Sequence, residues 1–133
     1  MAYLIGVVLA LAVSLFARLV GLDRDRAFYP TVMIVIAALY GLFAVMGGAP
    51  AELAGEWIAM GGFILLAVLG FRRSLWFVAA ALFAHGVFDF FHGHLVSNPG
   101  VPAWWPAFCG TYDITAAGCL AWLVRKDRAS RPV

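Results

Sequence analysis

Residues 85–94 read HGVFDFFHGH, and this one run holds all three histidines of the chain together with an aspartate. His85, Asp89 and His92 follow the spacing i, i+4, i+7, which on an α-helix sets three donors on a single stripe. Neutral imidazole and carboxylate are ligands of zinc and other divalent metals, so the first chemistry this pattern offers is a metal centre. Asp113 lies on a later segment, four residues after Cys109; it is a fourth ligand or the acceptor that orients His85. The spacing is less specific than HExxH, which brings its own general base. The structural alternative is that Asp89 accepts a hydrogen bond from a histidine and the pair holds two helices together.

The other reactive residues each carry two readings. Glu56 is a general base or proton gate; with Glu52 it is equally a solvated helix start, where the macrodipole favours acids. His94 falls off the stripe and reads as an interfacial residue. Cys109 is a soft ligand or a small packing residue, and Cys119 reads as packing. The two cysteines sit about 15 Å apart along one helix, too far to bridge each other.

The elements that must position these groups are set by an unusual composition. Hydrophobic residues make up 65% of the 133 residues and charged residues 12%. Soluble domains run at roughly 45–50% and about 25%. So small a domain cannot hide that much apolar surface from water, so its solvent must be lipid. The net charge of +2, with no basic stripe interleaved with aromatics, excludes a nucleic-acid-binding module.

Five apolar segments, at approximately 2–21, 30–48, 51–71, 75–96 and 103–124, are long enough to cross a hydrocarbon core of about 30 Å. The expected fold is therefore all-α, a single domain over 1–133 built as a bundle of five transmembrane helices with a tail at 125–133. Breaks fall at GLDRDRAFYP, GGAP, FRRS and SNPGVP, all rich in turn formers or charge. Pro30 suits the first turn of the second helix, and Asn98, Pro99 and Gly100 read as a tight turn.

Charge orients the bundle. With five spans all nine Lys and Arg residues fall on one side: Arg18, Arg24, Arg26, Arg72, Arg73, Arg125, Lys126, Arg128 and Arg131. The positive-inside rule then puts the N-terminus outside and the C-terminus in the cytoplasm. The first span has no basic region before it and reads as a retained helix rather than a signal peptide. Trp57, Trp104 and Trp105 belong to the outer aromatic belt, and Tyr29, Trp76 and Trp122 to the inner one.

Depth along antiparallel spans then pairs the polar residues in layers: His85 with Asp113 and Tyr40 near the midplane, Asp89 with Cys109 a turn further out, and His92 with Glu56 beyond them. An ionised Asp at a helix centre costs on the order of 2.5–3.5 kcal/mol on insertion scales, so these acids should face the bundle interior or a water-filled cleft.

The run AHGVFDFFHGHLVSNPGVPAWWPAFCGTYD at residues 84–113, with FYPTVMIVIA at 28–37, resembles a family of small bacterial polytopic membrane proteins of unknown function. That resemblance implies a multi-pass protein of the bacterial inner membrane and no particular activity. A more distant likeness in chemistry is to the alkaline ceramidase and adiponectin-receptor superfamily. Those seven-span hydrolases hold zinc between membrane helices and use the bound water on an amide or ester; His85, Asp89, His92 and Asp113 would echo that site. The chain departs from it in having five spans rather than seven, no His-x3-His on the last helix and no clear serine partner.

The leading expectation is a divalent metal, zinc by donor type, held between the fourth and fifth helices by His85, Asp89, His92 and Asp113. Asp113 or Glu56 would accept a proton in hydrolysis of a lipid-like substrate. The alternatives are a small transporter or channel subunit for protons, metal ions or other small cations, and a haem or redox subunit with an axial histidine. Membrane lipids are the expected partners, and a bundle this small is compatible with a homo-oligomer.

Overall fold

The computed structural model describes residues 1–48 and 50–130, the last three by backbone alone. Five long helices account for nearly all of it: α1 (Ala2–Val20), α2 (Phe28–Met46), α3 (Leu53–Arg72), α4 (Leu75–Leu95) and α5 (Trp105–Ser130). Each is long and apolar enough to cross a membrane. Short 3-10 turns at Leu22–Arg24 and Pro50–Glu52 lead into α2 and α3.

Local chemistry explains the boundaries. Gly21 adopts φ 90° and donates its N–H to the Ala17 carbonyl, closing α1 with a left-handed residue that only glycine takes without penalty. Ser74 caps α4, its hydroxyl accepting from the Trp76 N–H at 3.4 Å. Pro30 and Pro106 both fall in the first turns of their helices, where the missing N–H is not needed. At the far end of α3, Arg26 donates to the carbonyls of Phe71 (2.5 Å) and Gly70 (3.1 Å), satisfying acceptors that the helix leaves without partners.

One boundary differs from the sequence expectation. The tail anticipated at 125–133 is helical through Ser130, so α5 is 26 residues long, about 39 Å at 1.5 Å per residue. Arg125, Lys126 and Asp127 are good or tolerable helix formers, and no Gly or Pro interrupts them. Residues 131–133 lie outside the described residues.

The helices pack in a defined order. α4 lies along α5 and also meets α3; α5 carries α1 on its other side; α2 packs on α3 and touches α4. The interior is made chiefly by α2, α4 and α5, with α1 and α3 at the periphery. Leu4, Val8 and Leu15 on α1 and Ile58 and Leu65 on α3 are largely exposed, an arrangement that suits contact with acyl chains rather than water.

The contact between α4 and α5 is the one that builds the site. A Cβ added to Gly86 would stand 2.8 Å from the Gly110 carbonyl oxygen, and one added to Gly110 would stand 3.1 Å from that of Gly86. These glycines therefore let two backbones meet directly, as small residues do between membrane helices. Each is the chain neighbour of a reactive residue, His85 and Cys109.

The two ends of the bundle differ in charge. Arg26 reaches the end of α3, and Arg18 lies over the Trp122 ring at 5.1 Å while pairing with Asp23 at 3.3 Å. At the opposite end the α4–α5 connection folds over the end of α2, where Gly47 and Gly100 meet backbone to backbone, a Cβ on Gly47 falling 2.6 Å from the Gly100 nitrogen.

Candidate metal centre

Among the described residues the buried polar or charged side chains are Glu56, His85, Asp89, His92 and Asp113, none more than 2% exposed. They are supplied by α3, α4 and α5, and they resolve into two adjoining groups.

The first group lies between α4 and α5. His85, Asp89, Cys109 and Asp113 each offer one ligand atom, and these atoms all lie within 4.8 Å of one another. His85 Nδ1 shares a hydrogen bond of 2.6 Å with Asp113 Oδ2 and stands 3.6 Å from Asp89 Oδ2. The Cys109 thiol is 3.8 Å from Asp113 Oδ2. Helical spacing explains the convergence: His85 and Asp89 are i, i+4 on α4, Cys109 and Asp113 are i, i+4 on α5, and the Gly86–Gly110 contact brings the two pairs face to face.

The second group lies nearer the α4–α5 connection. His92 Nε2 and Glu56 Oε1 are 2.8 Å apart, and the Asn98 amide donates to the same Glu56 oxygen at 2.7 Å and to the Tyr40 carbonyl at 3.0 Å. Tyr40 joins the groups: its ring stacks on His92 with centroids 3.9 Å apart, and its hydroxyl donates to Asp89 Oδ1 at 2.6 Å.

Measured against the sequence expectations, His85, Asp89 and Asp113 come together. His92 does not join them and is paired with Glu56 instead, because three residues beyond Asp89 the α4 stripe has already passed the level of Asp113 and faces α3. Cys109 takes the place in the group that the sequence pattern assigned to His92. Glu56 is a buried partner of His92, whereas Glu52 is half-buried and His94 is exposed at the helix end. Tyr40 bonds to Asp89 rather than to the His85 layer. Asn98, read as a turn residue, also inserts its amide between Glu56 and α2; the signal was a polar side chain leaving α4 at the level of a buried acid.

The electrostatics are demanding. Asp89 Oδ2, Asp113 Oδ1 and Glu56 Oε2 are buried without a hydrogen-bond partner. With both groups' carboxyls ionised and both imidazoles neutral the buried net charge is −3, and among the described residues no Lys or Arg side chain is buried. Uncompensated buried charge costs several kcal/mol per ion even after relaxation. A nitrogen, a sulfur and carboxylate oxygens are a donor set that a borderline-soft divalent cation accepts.

Fold and site together define a five-helix membrane-spanning bundle with a buried His/Asp/Cys group able to hold a metal ion. No protein-family model, curated protein or solved structure matches the chain.

Proposed function

We propose that the protein is an intramembrane metalloprotein in which His85, Asp89, Cys109 and Asp113 hold one divalent ion, zinc by its donor chemistry, between α4 and α5. The observation that carries this reading is the pair of buried carboxylate oxygens without partners, Asp89 Oδ2 and Asp113 Oδ1, on two residues that flank the same imidazole. A dication offsets both carboxylate charges, and binding releases the proton that His85 and Asp113 now share.

Hydrolysis is the activity such a centre supports best. A metal that gains a water ligand lowers its pKa to about 7. Asp113 would be the proton acceptor beside such a water, since its Oδ2 shares a hydrogen bond with His85 and its Oδ1 is left without a partner. Water then adds to an amide or ester carbonyl, the C–N or C–O bond breaks, and the proton taken by Asp113 passes to the leaving amine or alcohol. Asp113, inside the group, serves as acceptor ahead of Glu56, which stands outside it. The basic end faces the cytoplasm of a bacterial inner membrane under the positive-inside rule.

The test is metal analysis of protein purified without chelators. One equivalent of metal is expected in the wild type, and His85→Ala and Asp89→Ala should lose it. Wild-type protein that takes up no stoichiometric metal, even after incubation with zinc, removes the proposal.

A second reading, proton or cation movement, is favoured by the polar run from Asn98 through Glu56, His92, Tyr40, Asp89 and His85 to Asp113. Flux into liposomes that depends on Asp89 and Asp113 would support it, and turnover without flux would count against it.

A further inference from the structure

At the basic end of the bundle a groove of about 540 Å³ lies between α1 and α5. One wall is the face of α1 from Leu11 to Arg18, and the other is the face of α5 from Thr115 to Trp122. Each wall is about 10 Å long at 1.5 Å per residue. The interior offers little unsatisfied polarity: the Tyr29 hydroxyl donates to Ser14 Oγ at 3.4 Å, and that of Thr115 to the Thr111 carbonyl at 2.7 Å. The rim is charged. Arg18, in the last turn of α1, lies over the Trp122 ring at 5.1 Å, and the Lys126 ammonium lies over the same ring at 5.2 Å. Two cations therefore stand no more than about 10 Å apart, around one indole that lines the groove.

We propose that this groove binds one anionic phospholipid of the bilayer, with its phosphate at Arg18 and Lys126 and one acyl chain between α1 and α5. The proposal is independent of the metal centre and uses none of its residues. Charge complementarity selects the head. Cations gathered round one ring repel each other, and an anion shared between them offsets that repulsion. Asp23 takes Arg18 Nη1 at 3.3 Å, and the guanidinium fork carries further donors on Nε and Nη2 that suit a phosphate. Among the described residues this end carries seven Lys and Arg side chains against three aspartates, so the surrounding field also attracts an anion. Depth selects a bilayer lipid over a free anion. Trp122 lies five residues before the end of the apolar span at Asp127, the headgroup level at which interfacial Trp residues gather. Nothing has to open for access, since Trp122 is 54% exposed and the Arg18 side chain 40%.

An acyl chain moving from bulk lipid into the groove gains little, because lipid tails are already as apolar as Leu. Discrimination therefore comes from the head. Phosphatidylcholine carries the same phosphate but brings a cation of its own to a rim that already holds two; phosphatidylglycerol brings none. The groove contributes position: a chain seated in it brings its phosphate onto Arg18, and a filled groove keeps that phosphate away. Basic pockets between membrane helices hold anionic headgroups on this principle.

The experiment uses the full chain in nanodiscs of equal phosphatidylglycerol and phosphatidylcholine, transferred to detergent, with the retained lipid counted by mass spectrometry. The wild type should keep one phosphatidylglycerol in preference to phosphatidylcholine. Arg18→Gln with Lys126→Gln should lower that preference about fivefold per cation removed. Arg72→Gln with Arg73→Gln, at the same end but outside the groove, should lower it much less. Gly118→Leu fills the groove without removing a charge and should release the lipid. A Cβ at Gly118 meets no atom within 4 Å, so the helix packing is left in place. Inorganic phosphate added at constant ionic strength should not displace the lipid. Equal retention of both lipids by the wild type, or equal losses from the two double variants, would overturn the proposal. Full retention by Gly118→Leu, or displacement by inorganic phosphate, would overturn it too.

Discussion

Across the α2–α4 boundary, the phenol of Tyr40 donates to Asp89 Oδ1 at 2.6 Å. Asp89 thereby has one oxygen fixed by the protein and the other, Oδ2, left without a partner toward His85. A carboxylate so held is oriented for an ion on one side and prevented from rotating on the other, which is how outer hydrogen bonds position metal ligands.

Tyr40→Phe should weaken the protein and the metal site together. Losing a donor to a buried carboxylate costs about 1–3 kcal/mol, and loss of an orienting partner typically lowers metal affinity 10–100-fold. Thermal unfolding in detergent and zinc competition titration measure the two effects; a Phe variant that matches wild type in both would show that Tyr40 does not orient Asp89.

His92→Ala should leave metal stoichiometry intact, whereas His85→Ala should abolish it. The two histidines share a helical stripe yet have different partners, Glu56 for His92 and Asp113 for His85. The His92 variant should instead lose stability, because Glu56 remains buried with only Asn98 as donor. Equal metal loss in both variants would restore His92 to the ligand set.

Gly86→Leu should separate α4 from α5 and lose metal without removing any ligand. Its side chain would meet the Gly110 carbonyl and the Asp113 side chain, and overpacking of this kind costs typically 1–3 kcal/mol. Metal analysis of folded variant protein decides this, and retained stoichiometric metal would mean that close helix approach is not required.

Metal affinity should rise with pH. The imidazole, thiol and carboxyls must all be deprotonated to ligate, so protons compete at low pH and are released on binding. Competition titrations at several pH values, in buffers of different ionisation enthalpy, measure the proton count; affinity independent of pH would be incompatible with these ligands.

Much of this was legible in the sequence. Span number follows from the length and composition of the apolar runs, and antiparallel depth pairs His85 with Asp113 and His92 with Glu56, as the structure does. What depth does not determine is azimuth. His92 shares the stripe of His85, yet the neighbour it meets is α3, because helix crossing and the Gly86–Gly110 contact set which face of α5 is presented where. Cys109 is ambiguous in the sequence, since a membrane cysteine is as readily a packing residue, and only the structure sets it and its i, i+4 neighbour Asp113 beside His85. Asn98 was hidden by its neighbours: Pro99 and Gly100 announce a turn and say nothing of where its amide points. The end of α5, at Ser130, is not legible from charge, because charge ends a membrane span without ending a helix.

X-ray absorption at the zinc edge on reconstituted wild-type protein and on Cys109→Ser tests the metal centre most directly. The account predicts one sulfur neighbour at about 2.3 Å and nitrogen or oxygen neighbours at about 2.0–2.2 Å, with the sulfur shell lost in Cys109→Ser. A zinc spectrum with no sulfur shell in the wild type, or with oxygen neighbours only, would contradict it.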